Sequence, residues 1–327
     1  MKPWSHGTRG GLALARSAAR AELLSGSWTP CQAVDVRTSP IARNVRLLTW
    51  NIQWGRGADG RVDLDRIVAH ARRVADFDVL CLQEVAAAYP ELPGCDGSDQ
   101  FQGLADRLPG FTAIAGVATD TPHPAGGRRS FGNMIFSRFP VLQVFRHLLP
   151  WPADPGLPSM QRIALEATLD TPLGLIRVTT THLEYYSSRQ RAAQVERLRE
   201  LHQEAVAQAA GLRPGAVAEG PFFAVPRAAA SILTGDLNCR PESAERSRLL
   251  AAMDDATPSY RDAWNITHPG APHAPTVGLY DKTQWPDPPF TFDFIFVSDD
   301  LAPRVKEMRV DAMSDASDHQ AVLLVLS

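Results

Sequence analysis

Eight short apolar runs, none long enough for an ordinary helix, limit what this sequence can fold into. They are Val45–Trp50, Phe77–Leu82, Asn133–Phe136, Ile163–Leu169, Leu175–Thr181, Ser231–Thr234, Thr291–Val297 and Ala321–Leu326. Their length and their Val, Ile, Leu, Phe and Thr content read as strands, and Ile163, Leu165, Ala167 and Leu169 alternate onto one face. Helical spacing is rarer. Asp63 caps a helix with apolar positions at Leu64, Ile67, Val68, Ala71 and Val74, and a short helix lies near Gln100–Leu108. Ser187–Ala210 is a longer one, with Val195, Leu198, Leu201 and Val206 on its inner side. Many strands with few helices between them point to two packed sheets with helices outside, an α/β sandwich in one domain. No internal repeat of fixed period is visible.

Composition excludes some partners. The 327 residues are 44% hydrophobic and 21% charged, and no apolar run approaches a membrane span. A net charge of −3 leaves no global basic field for a polyanion, although a local basic groove stays open. The cysteines Cys31, Cys81, Cys95 and Cys239 form no CxxC pair, so reduced thiols and a cytoplasmic location are expected. Residues 1–43 carry Lys2, Arg9, Arg16, Arg20, Arg37 and Arg43 against Glu22 and Asp35. They lack the apolar core of a secretory signal and are expected to be a poorly ordered N-terminal extension, with at most a short helix over Leu12–Leu24. The catalytic domain is expected over 44–327, as a monomer.

What stands where the strands stop is the more specific signal. The first ends in Asn51, the second in Gln83-Glu84, and the 175–181 strand in His182-Leu183-Glu184. Gly235-Asp236-Leu237-Asn238 follows the 231–234 strand, Asp293 sits among Phe292, Phe294 and Phe296, and Ser317-Asp318-His319 opens the last strand. Each alone has an ordinary explanation as a turn or surface residue. Asp293 is the hardest to place that way, since a carboxylate among aromatic strand residues needs a partner if buried. Six strand ends with a carboxylate, amide or imidazole call for a common reason.

Phosphoryl transfer supplies one. Glu84 and Asp318 are hard oxygen donors suited to Mg²⁺ or Mn²⁺, and two histidines without a cysteine cluster do not suggest zinc. Such an ion polarises a phosphoryl oxygen. Asp236 is then placed to activate water, and a histidine held by Asp293 to stabilise charge developing on phosphorus.

The ordered set Trp50-Asn51, Gln83-Glu84-Val85, Thr181-His182-Leu183, Gly235-Asp236-Leu237-Asn238, Asp293 and Ser317-Asp318-His319 resembles the endonuclease/exonuclease/phosphatase superfamily. Gly132 to Pro140 resembles a further strand and turn of that family, and the likeness runs from Asn44 to Ser327. It implies a deoxyribonuclease-like four-layer α/β sandwich of two mixed β-sheets flanked by helices, with the site at one edge. It also implies Glu84, Asn51 and Asp318 on the metal side, Asp236 at the attacking water, and Asn238 and His182 at phosphate. His319 becomes the final histidine, oriented by Asp293. The segment Gln53 to Gly57 departs from abasic-site endonucleases, and no sphingomyelinase or inositol-phosphatase specificity motif is visible. Arg162 and the pair Arg128-Arg129 are candidate phosphate contacts. The loop Gly278–Phe290, with Tyr280, Lys282 and Trp285, is either a substrate wall or a structural loop. The expected activity is metal-dependent hydrolysis of a phosphodiester in a small molecule, phospholipid or nucleic acid. A nuclease and an inactive phosphate-binding module are the alternatives.

Overall fold

The computed structural model describes residues 44–211 and 225–327; the extension expected over 1–43 lies outside them. The first sheet contains β1 (Val45–Asn51), β2 (Val79–Ala87), β3 (Thr112–Pro122), β4 (Arg128–Ser137), β11 (Val305–Val310) and β12 (Val322–Leu326), in the order β11-β12-β1-β2-β4-β3. The second contains β5 (Val141–Leu148), β6 (Ile163–Thr171), β7 (Gly174–His182), β8 (Ser231–Asp236), β9 (Tyr260–Asp262) and β10 (Asp293–Ser298), in the order β5-β6-β7-β8-β10-β9. Their inner faces bury Leu47, Val79 and Ile135 against Leu165, Val178 and Ile295. Helices α1 (Leu64–Val74) and α2 (Gln100–Arg107) cover the outside of the first sheet over Leu48, Trp50 and Leu80. Helices α3 (Ser188–Gly211) and α4 (Ala244–Leu250) cover the second over Leu233 and Phe296, and the short α5 (Ala263–Thr267) follows β9. This is the expected four-layer sandwich.

Each sheet is built on one parallel pair, β1 with β2 and β7 with β8, and its other pairings are antiparallel. Parallel neighbours need a crossover, which α1 and α3 provide. Helix α1 starts where predicted: the Asp63 carboxylate accepts the Arg66 backbone N–H at 2.9 Å. Both parallel pairs therefore end on residues that the sequence singled out, Asn51 with Gln83 in one, directly before Glu84, and His182 with Asp236 in the other, while β2 runs on past its expected end to Ala87.

Period-two alternation then sets what lies between the sheets. Along β1 the inward positions run Val45, Leu47, Thr49, Asn51, and along β7 they run Ile176, Val178, Thr180, His182. Strand β8 gives Ile232, Thr234, Asp236, and antiparallel β10 gives Val297, Ile295, Asp293. The interlayer passes from aliphatic through hydroxyl and amide to ionisable groups. Gln83 marks the transition: its Nε2 donates to Thr49 Oγ1 at 3.2 Å and across the sheets to Thr180 Oγ1 at 2.8 Å. The amide protons are paired, while Oε1 is buried without a partner.

The structure adds β3, β5, β9 and β11, which lack a sequence signal, and extends β4 back to Arg128. On α3, Val206 is only half-buried, and Arg199 and His202 take inner positions instead.

Candidate active site

The antiparallel register of β8 and β10 sets Asp236 directly opposite Asp293, so two buried carboxylates share one sheet edge. His319 reaches them from the other sheet. Trp50 Nε1 donates to its carbonyl at 2.9 Å, and its own N–H donates to Ser317 Oγ at 3.2 Å. The His319 Nδ1 lies 2.8 Å from Asp293 Oδ2, which favours a proton on Nδ1 and turns Nε2 toward Asp236 Oδ2 at 3.7 Å. Burial opposes charge on His319, but Asp293, Asp318 and Asp236 together outweigh it and hold its pKa well above the ordinary value. Burial pushes Asp236 up to about 7, against the pull of His319 and of hydrogen bonds from Asn238 N–H at 2.8 Å and Asn51 Nδ2 at 3.0 Å.

A bulge in β2 between Leu82 and Val85 brings Glu84 into this group, with φ at +60°. A left-handed backbone at a glutamate is costly and tends to persist at functional sites. Asn51 spaces the carboxylates: its Nδ2 donates to Glu84 Oε1 and to Asp236 Oδ2, both at 3.0 Å, while its Oδ1 accepts the Gln53 N–H at 3.0 Å. In this arrangement Asn51 orients Glu84 through its amide protons. His182 Nε2 stands 3.6 Å from Asp236 and 3.8 Å from Glu84. Burial, then Arg162 and His319, push its pKa well below the ordinary value.

Asp318 Oδ2 accepts Gln284 Nε2 and Trp285 Nε1, each at 2.9 Å, whereas Oδ1 receives only a long bond from Ser317 Oγ at 3.3 Å. Burial first and Asp318 second raise the pKa of Glu84. Among the described residues, no lysine or arginine forms an ion pair with either carboxylate. Two such acids with oxygen-only donors fit a hard divalent cation. Asp236, Asp293 and His319 also offer ligand atoms within 4.8 Å of one another.

Asn238, at φ +49°, donates its N–H to Asp236 Oδ1 and its Nδ2 to the Leu183 carbonyl. Arg162 is 6% exposed, with Nε bonded to Glu184 Oε2 at 3.3 Å and Nη1 buried without a partner. It lines the same cleft of about 530 Å³ as Glu84, His182, Asp236, Asn238, Asp318 and His319. Arg128 and Arg129 are instead paired with Asp120 and Glu91, away from this cleft. In the 278–290 loop Trp285 lines the cleft, while Tyr280 donates to the Ala312 carbonyl and Lys282 to that of Gly278. Sequence reasoning missed Gln53, Tyr185, Tyr186 and Gln284, which also line it. The Tyr-Tyr pair directly after His182-Leu183-Glu184 was the one available cue.

The sequence pattern of the Endonuclease/Exonuclease/phosphatase family matches residues 48–319. The chain belongs to that family. Its fold is similar to that of an endonuclease/exonuclease/phosphatase from Beutenbergia cavernae DSM 12333, at 29% identity and a TM-score of 0.60, covering 87% of this chain and 72% of that one. It is also similar to D. rerio TDP2 complexed with single strand DNA product (20% identity, TM-score 0.56, 87% of this chain and 99% of that one). A mannosyl-6-phosphatase of Bacteroides thetaiotaomicron VPI-5482 is similar at 17% identity and a TM-score of 0.58, covering 86% of this chain and all of that one. At 17% and 20% identity, the latter two likenesses carry the fold alone. No curated protein matches the sequence. Endonuclease/exonuclease/phosphatase proteins are in general hydrolytic phosphoesterases, typically dependent on a divalent metal. No helix among the described residues is long and apolar enough to cross a membrane.

Proposed function

We propose that the chain hydrolyses a phosphodiester by attack of water, with Mg²⁺ or Mn²⁺ held by Glu84 and Asp318. The observation that carries this reading is the meeting, at one cleft, of a carboxylate pair that has no lysine or arginine partner among the described residues with the Asp293–His319–Asp236 array. A divalent ion held there would polarise a phosphoryl oxygen, easing formation of the bond from water to phosphorus and departure of the ester oxygen. Asp236 accepts a proton from water, and its rise toward 7 suits a base working near neutral pH. His319, protonated and aligned by Asp293, faces the negative charge that develops on the phosphoryl oxygens. In this reading His182, Asn238 and Arg162, which line the cleft, contact the other phosphate oxygens. The substrate is taken to be small or presented as a short phosphate segment.

A nucleic-acid substrate is the second reading, favoured by aromatic residues on the cleft: Trp54, Tyr185, Tyr186 and Trp285. The deciding experiment measures hydrolysis of an activated small phosphodiester with Mg²⁺, with Mn²⁺ and with EDTA. Activity should require the cation, and Glu84→Gln should lower the rate by on the order of 10²-fold or more. Full activity in the chelated sample would sink the proposal.

A further inference from the structure

Along the wall of the cleft, a hydrogen-bonded chain runs from Asp318 through Gln284 and Gln53 to a guanidinium. Gln284 Nε2 donates to Asp318 Oδ2 at 2.9 Å, Gln53 Nε2 donates to Gln284 Oε1 at 2.7 Å, and Arg56 Nη1 donates to Gln53 Oε1 at 3.2 Å. A carboxylate can only accept and a guanidinium can only donate. The two amides between them therefore point in one sense, since flipping either would set oxygen against oxygen or proton against proton. Arg56 Nη1 also lies 3.4 Å from Asp281 Oδ2, and Asp281 Oδ1 accepts the backbone N–H of Thr283 and of Gln284. The chain thus closes on the loop that carries Gln284.

The backbone is bent to make this circuit. Gln53 and Trp54 are consecutive non-glycine residues with φ at +45°, and Gly55 follows at +78°. The turn sends the Gln53 side chain inward, 3% exposed, instead of along β1. Strain of this kind, of order 1–3 kcal/mol per residue in general, persists where surrounding contacts over-determine it. The result is selective for one oxygen of Asp318. Oδ2 carries two short bonds, from Gln284 and Trp285, which hold the carboxylate in one orientation, and Oδ1 carries only the long bond from Ser317.

We propose that Gln53 and Gln284 are positioning residues that set the affinity of the Asp318 side of the cleft for a divalent cation. The inference rests on the reading of Glu84 and Asp318 as cation ligands. Residues that orient a ligand in this way are typically worth 10–100-fold in metal affinity.

The test is a Mn²⁺ titration of the full chain followed by electron paramagnetic resonance of the free ion, with no substrate present. Gln284→Leu and Gln53→Leu should each weaken Mn²⁺ binding by about tenfold or more. Activity of both variants should recover at raised Mn²⁺, and the melting temperature without metal should stay near wild type. Thr283→Val, an exposed side chain on the same loop, should bind as wild type. If Gln53→Leu fails to fold, Gln284→Leu decides, because Gln284 is an exposed residue. Wild-type affinity in the glutamine variants, with binding lost in Glu84→Gln, would overturn the positioning role and leave the cation site standing. Binding unchanged in Glu84→Gln would remove the cation site, and the positioning role with it.

Discussion

Burying an ionised carboxylate is expensive unless a partner or hydrogen bonds compensate it, and this site buries Asp236, Asp293 and Asp318 around a single imidazole. The compensation is uneven. Asp293 holds His319 at 2.8 Å yet keeps Oδ1 buried without a partner, so its main visible task is to align the ring. If that is its task, Asp293→Ala and His319→Ala should each lower kcat/KM on a small phosphodiester by on the order of 10²–10⁴-fold. The double variant should then be little worse than His319→Ala alone. Losses that multiply would mean the two side chains act independently. At this scale much of the site was legible in the sequence. Asn51, Glu84, His182, Asp236, Asp293 and Asp318-His319 each sit beside a readable strand, so position alone drew attention to them. Gln53 and Gln284 were not legible, because their roles depend on how two loops approach each other. No local pattern encodes that distance.

The same rule explains which elements the sequence concealed. The strands that went unread, β3, β5, β9 and β11, are the four edges of the two sheets. Edge strands have one unpaired side and much exposed surface, so their residues are not held to an apolar run. Strand β5 shows this, with no fully buried residue in Val141–Leu148. Central strands were read correctly because both faces are covered. Helix α3 hides a different feature, a buried polar seam on its inner side. His202 Nδ1 lies 2.6 Å from Arg177 Nη2 and its Nε2 lies 2.8 Å from the Pro258 carbonyl. One nitrogen must accept from a guanidinium and the other donate to a carbonyl, so the native ring is neutral. Burial, reinforced by Arg177, accordingly lowers its pKa from 6.5 to about 4. The unfolded chain takes up this proton near pH 6.5, and the folded chain refuses it until about 4. Stability from this residue is present above that window and is lost as pH falls through it, by on the order of 3 kcal/mol. Denaturant melts from pH 7 to 4 should show a shallower loss for His202→Gln, which keeps a donor and an acceptor without titrating. An identical slope in both proteins would mean that His202 does not carry the effect.

Taken whole, the molecule repeats one topology twice without repeating any sequence. Strands β1 and β2 around α1 correspond to β7 and β8 around α3; β3-β4 correspond to β9-β10, and β11-β12 to β5-β6. Equivalent strand ends then contribute different chemistry: the last parallel pair is Asn51 with Gln83 in one sheet and His182 with Asp236 in the other, and His319 stands before β12 where Arg162 stands before β6. A search for a fixed period cannot find such a relation, because the equivalence lies in strand order. Among the described residues, both sheets and all these site groups fall between Val45 and Leu326. A chain lacking 1–43 should keep the melting temperature and the small-phosphodiester turnover of the full chain. The same truncated chain can separate the two substrate readings. Arg162 is the one lysine or arginine lining the cleft among the described residues, so few phosphates can be neutralised there. Binding of single-stranded DNA should then weaken only gently with salt, with a log–log slope of about −1 where each neutralised phosphate contributes about −0.7. A slope several times steeper, together with efficient nicking of plasmid DNA by the truncated protein, would show that the core tracks a backbone and would move the assignment to a nuclease.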